Sequence, residues 1–136
     1  MTPPLLALRA ALLARCAGDA TLAGLMGGAA TIHDEPPRDA APVYAVFGDA
    51  EVRDASTSTE GGHEQDLAIH LWGKPGSAAA ALAAGERMAE LFGDAPLSPL
   101  GHRLVRLSVT SLAVEREERS RLARAVLRLR AVTEAL

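Results

Sequence analysis

Apolar positions recur along this chain with two different periods, and the switch between them marks out its elements. Behind Pro3 and Pro4, which suit a first helical turn, Leu5, Leu8, Leu12 and Leu13 repeat at three- and four-residue spacing. That pattern predicts an amphipathic helix to about Ala17, ended by Gly18. Asp19 is placed to cap a second short helix, Ala20–Met26, which Gly27 and Gly28 stop. Residues 32–42 (IHDEPPRDAAP) are rich in proline and charge and read as a connector.

After Pro42 the period becomes two. Val43, Ala45 and Phe47 alternate with Tyr44 and Val46, a first strand. Residues 49–64 (DAEVRDASTSTEGGHE) are polar and read as a loop, expected to be partly mobile in the free subunit and to order on docking. A second strand runs over residues 65–72, with Leu67, Ile69 and Leu71 on one face and Asp66, His70 and Trp72 on the other. GKPGS breaks the chain, and Ser77 is placed to cap a helix through Phe92 that Gly93 terminates. Gly85 lies on the apolar face of that helix, where it costs ~1 kcal/mol relative to alanine. A close approach of helix to sheet would account for it.

The last third carries the clearest strand signal. Val105, Leu107 and Val109 alternate with Arg106, Ser108 and Thr110. Ala123, Ala125, Leu127, Leu129 and Ala131 alternate with Arg124, Val126, Arg128 and Arg130. REER at 116–119 is the hairpin loop between them. Both apolar sets sit at odd positions, so facing residues sum to an even number. Val105 is then expected opposite Leu129 or Ala131, and Arg106 opposite Arg128 or Arg130. Like charges so placed are unfavourable, and that face calls for carboxylates from elsewhere. The order helix, short helix, strand, strand, helix, strand, strand predicts a single α+β domain over residues 1–136, with a mainly antiparallel β-sheet packed against helices.

Composition narrows the function classes. The 136 residues are 49% hydrophobic but only 3% aromatic, so Leu, Val, Ile and Ala must fill the core. A net charge of −3 argues against a primary nucleic-acid binder. The lone Cys16 forms no disulfide within the chain and reads as a small core residue. Arg9 and Arg15 interrupt the N-terminal apolar run, well short of the ~20 residues a membrane span needs, so a soluble, unexported chain is expected.

No nucleophile elbow, phosphate loop, dinucleotide fingerprint or zinc-protease helix occurs in the sequence. Strand alternation would put Glu64, Asp66 and His70 on one face, a loose carboxylate–imidazole set whose simpler reading is a solvated or interface face. His33, Asp34 and Glu35 read as loop polarity. The Arg106, Arg124, Arg128 and Arg130 face could meet phosphate. Pairing with carboxylates, within the subunit or across a subunit contact, fits the negative net charge better.

Several segments in order resemble one known family. The opening LLALRAALLAR, the DATLAGLMGG helix, PPRDAAPVYAVFGD at 36–49, the STSTE stretch ending at Glu60, APLSPLGHRLVRLSV and the closing LRLRAVTE are similar to tailed-phage tail-completion proteins, which gene transfer agents also carry. REERSRLARA departs mildly from many relatives, which leaves any docking surface there open.

The resemblance implies a structural function without catalysis or cofactor. It implies a homo-oligomeric ring, usually a hexamer, at the head–tail junction of a virion or gene-transfer-agent particle, assembled from chains made in the bacterial cytoplasm. Its partners would be the tail-tube protein, the head–tail connector or stopper protein, and DNA only as passing cargo, with no membrane. On that reading the docking loop is Asp49, Glu51, Arg53, Asp54, Glu60, His63 and Glu64. The subunit-contact or internally paired face is Arg106, Arg124, Arg128 and Arg130. The lumen, which should repel DNA weakly, is expected to be lined by acidic residues from one of two segments, residues 49–66 or the candidates Glu115, Glu117 and Glu118. Alternatives are another neck component such as a head-completion stopper, or a ligand-binding or enzymatic α+β domain using the Asp66/His70 face.

Overall fold

Proline lacks an amide hydrogen that a first helical turn would leave unused, and Pro4 opens the first helix, α1 (Pro4–Ala17). A computed structural model describes residues 2–38, 42–57, 61–73, 78–94, 96–116 and 123–136. In α2 (Ala20–Met26) the Asp19 carboxylate accepts the Leu22 N–H at 2.8 Å, the expected cap. Gly27 closes α2 at φ 72°, a left-handed conformation, and a Cβ there would also press on the Pro42 ring at 3.0 Å. The remaining elements are β1 (Ile32–His33), β2 (Val43–Asp54), β3 (Gly62–Gly73), α3 (Ala78–Asp94), β4 (His102–Arg116) and β5 (Ala123–Ala135). The expected α+β class and element order are present, with β1 as an addition inside the connector. Helix α3 runs to Asp94, past Gly93, and Ser77 lies outside the described residues.

The five strands form one sheet in the order β1-β2-β3-β5-β4, antiparallel except for the short β1–β2 pair. Alternation puts Leu67, Ile69 and Leu71 of β3 and Ala125, Leu127, Leu129 and Ala131 of β5 on one face, under Leu8 and Leu12 of α1 and Ala81, Ala84, Met88 and Phe92 of α3. Gly85 allows α3 to lie close, since a Cβ there would stand 3.0 Å from Leu112 Cδ1 and 3.6 Å from Leu71 Cδ1. Arg15, in the last turn of α1, donates to the carbonyls of Leu91 and Pro96 and fastens α1 to the end of α3.

The core has a polar end. Gln65 and Thr133 are fully buried and bonded to each other, Gln65 Nε2 donating to Thr133 Oγ1 at 3.0 Å. Beside them His102 is buried with Nε2 2.7 Å from the Thr2 carbonyl, so the ring ties β4 to the chain just before α1.

Three sequence expectations need correction. Residues 49–54 and 62–64, expected as loop, are strand: Glu51 pairs with Asp66, Val52 with Gln65, Arg53 with Glu64 and Asp54 with His63. They lack an apolar alternation because this part of β2 is exposed, so burial imposes no pattern there. Glu60 lies outside the described residues. The last hairpin is longer than expected, because β4 reaches Arg116 and residues 117–122 are not described.

Its register is also altered. The even-sum rule holds in the middle, where Leu107 faces Ala131 and Val109 faces Leu129. Bulges between Leu104 and Arg106 and between Val109 and Ser111 shift the phase on either side, and Val105 falls in the first of them. Arg106 and Arg130 lie in that middle stretch and keep its parity, but pair further along than expected, with Val132 and Ser108, while Arg128, past the second bulge, faces Ser111, so no two arginines stand directly opposite one another on these strands.

Candidate functional site

The sheet face away from the helices carries a charged lattice that crosses strands. Arg53 of β2 reaches Asp66 at 2.7 Å, Glu64 at 3.4 Å and Glu51 at 3.5 Å. Asp66 of β3 also accepts Arg130 Nε of β5 at 2.9 Å. Toward the other end, Glu115 of β4 accepts Arg124 Nη2 at 2.9 Å, and Arg128 approaches it at 3.8 Å. Three of the four arginines of the expected basic face thus have carboxylates in the same subunit. Arg106 Nε donates instead to Ser108 Oγ at 3.2 Å. The Arg130 and Arg53 guanidinium groups hold the Asp66 carboxyl below its usual range. These groups are largely solvated, so the lattice fixes orientation more than it stabilises the fold.

Asp66 and His70 do not converge. His70 lies along the same face between Val46 and Val126, its ring resting where Gly48 leaves room, since a Cβ on Gly48 would stand 2.4 Å from the imidazole Cδ2 and Nε2. Burial first, and then Arg124, pushes the His70 pKa down. Trp72 is covered by the Arg124 guanidinium, 5.2 Å from the ring centroid. Among the described residues no group of three or more His, Cys, Asp or Glu is placed to hold a metal ion. Cys16 is fully buried, and burial followed by the nearby Asp19 charge pushes its thiol up to about 12, far from a thiolate nucleophile at neutral pH.

Of the sequence-predicted docking residues, Asp49, Glu51, Arg53 and Asp54 lie on β2, with His63 and Glu64 opposite them on β3. Glu115 is engaged by arginines, and Glu117 and Glu118 lie outside the described residues. Sequence reasoning missed the clamp between helices, where Asp19 caps α2 and also accepts Arg87 Nη2 at 2.8 Å and Nε at 2.9 Å from α3. The cap was visible in the sequence, whereas its second partner, far along the chain, carries no local signal.

The clamp makes a pH prediction. Arg87 first, and then the Leu22 N–H, hold the Asp19 carboxyl at about 2. A depressed carboxyl contributes stability that is present above the unfolded value, near pH 4, and is lost as pH falls through 2. Asp19→Asn removes that titration, so between pH 4 and 2 its stability should fall less steeply than that of the parent chain, measured by denaturant midpoints at stepped pH. Parallel pH profiles would show that Asp19 carries no such linkage.

Helices on one face of the sheet and an ion-paired open face on the other define an α+β domain. The tail completion protein gp17 family model matches residues 10–134, and the chain belongs to that family. Among solved structures it is similar to a chain from the virion of a native gene transfer agent particle, with 31% identity and a TM-score of 0.86, covering 99% of this chain and 100% of that one. No curated protein matches the chain. This is a structural tail protein of a phage-type or gene-transfer-agent virion. Among the described residues no helix is long and apolar enough to cross a membrane.

Proposed function

We propose that the protein terminates the tail tube as a homo-oligomeric ring and joins it to the head-side connector, without catalysing a reaction. The observation that carries this reading is the family match over residues 10–134 together with near end-to-end likeness to a gene-transfer-agent virion chain. The open face supports it. Arg124 and Arg128 share Glu115, and Arg130 shares Asp66 with Arg53, so the face offers a passing duplex fewer free cations than its arginines alone would. Residues 49–64 are the docking element toward the tube or a neighbouring copy, with 49–54 and 62–64 now a strand pair in place of a loop. Acidic side chains from the β4–β5 turn, Glu117 and Glu118 beside Glu115, line the lumen.

Particles produced without this chain should show tails of uncontrolled length and heads without attached tails by electron microscopy. Tails of normal length joined to filled heads would overturn the proposal. Tails of fixed length that detach from heads would move the role to a different neck component.

A further inference from the structure

The two sides of the sheet end differently. On one side the 15-residue β4 has no strand beyond it among the described residues, while on the other β1 covers β2 only at Ala45 and Val46. Residues 48–54 of β2 therefore present a second open edge. Val105, Val109 and Val114 of β4 are 51%, 38% and 41% exposed, and Val52 of β2 is 39% exposed. Open strand edges bearing exposed valines are a ready template for pairing with another chain.

The edges also differ in charge. Asp49, Glu51 and Asp54 are exposed along β2, and Arg53 among them is held by Glu51, Glu64 and Asp66, which leaves the edge net acidic. The matching end of β4 carries Arg103, which is also paired with Glu134, and Arg106. The ladder fixes the heights: Val52 is level with Gln65, Ala131 and Leu107, and Asp54 with His63, Thr133 and Leu104. Acidic edge and basic edge thus stand at the same level on opposite sides of one subunit. Unlike edges that complement each other make a head-to-tail contact, which closes into a ring when each step turns.

Strand direction agrees. β2 and β5 run one way and β3 and β4 the other, so β4 of one copy meets β2 of the next antiparallel, like most of this sheet. Bulges in β4 bend and twist the strand, which closure requires of a sheet.

We propose that the seam between subunits is the β4 edge of one copy laid against residues 48–54 of β2 in the next, with Val52 packing between Val105 and Val109. This rests on the ring reading above and names its contact. The occupant is a second copy of this chain, because the complementary edge is its own.

The test is disulfide trapping in isolated particles carrying Val52→Cys and Val109→Cys in the same chain; the native Cys16 is buried and will not interfere. Oxidation should give a ladder of linked copies on a non-reducing gel, whereas particles assembled from a mixture of the two single variants should stop at dimers. A companion Val109→Asp variant, folded by circular dichroism, should lose assembly. A ring visible by electron microscopy, with no more cross-linking between positions 52 and 109 than a Val52→Cys/Leu25→Cys control gives, rejects the seam and leaves the ring. So does undiminished assembly of Val109→Asp. Particles with no ring of this chain reject both.

Discussion

Replacing Leu127 by alanine should cost the fold about 3 kcal/mol, the largest effect expected of any single truncation here. Leu127 is fully buried on β5, with Ile69 of β3 on one side and Leu112 of β4 on the other. It sits in the cluster that α1 and α3 cover, so the lost methyl groups leave a cavity that rigid neighbours on both strands cannot close. Domains of this size hold only ~5–15 kcal/mol in total, so melting should fall by roughly 10 °C. Leu127→Met keeps the volume and should stay within about 1.5 kcal/mol of the parent. The check is urea unfolding of all three chains with an unchanged m-value. If alanine cost less than ~1 kcal/mol, β5 would not be the centre of the core.

The second large effect is expected at Gly85, and there the size of the added group decides the sign. Alanine gains ~1 kcal/mol of helix propensity. Its Cβ would meet Leu112 Cδ1 at 3.0 Å, the far end of a half-exposed side chain that can shift by a few tenths of an ångström. Gly85→Ala should therefore be close to neutral. Valine adds two branches that must also clear Leu71, packed on β3 with no exposure, and its χ1 is restricted in a helix. Gly85→Val should lose about 2–3 kcal/mol through forced separation of α3 from the sheet. Thermal unfolding of the two variants side by side checks it, and equal stability of valine and glycine would refute close approach as the reason for the glycine.

Legibility in the sequence followed burial. The helices, β3, β5 and the Asp19 cap were readable because each buries one face or satisfies helix-end amides, and both leave periodic or positional marks. Gly85 was readable for the same reason, as a costly residue on an apolar face. The distal half of β2 was not, since Glu51, Val52 and Asp54 are exposed and the strand exists through its pairing with β3, which no local pattern announces. The register of β4 was half readable. Alternation set the parity of Arg106, Leu107 and Val109 but not how far along β5 they pair, and a bulge inserts a residue without changing composition, so the shift at Arg128 was invisible. At the candidate site the arginine face and its need for carboxylates were apparent from alternation. That Asp66 and Glu115 would supply them depends on β5 lying between β3 and β4, a fact of topology.

That placement of β5 has a consequence for synthesis. The strand nearest the C-terminus is the one that joins the two halves of the sheet, bonding to β3 on one side and β4 on the other. While the ribosome is still translating it, the β2–β3 hairpin and β4 have nothing between them, and Leu67, Ile69 and Leu71 lack their strand neighbours. A chain that stalls or is clipped before Ala123 leaves both β3 and β4 with raw inner edges, which invite aggregation and proteolysis. The arrival of β5 is thus the step that completes the sheet, and a product that lacks it is open to degradation in place of assembly.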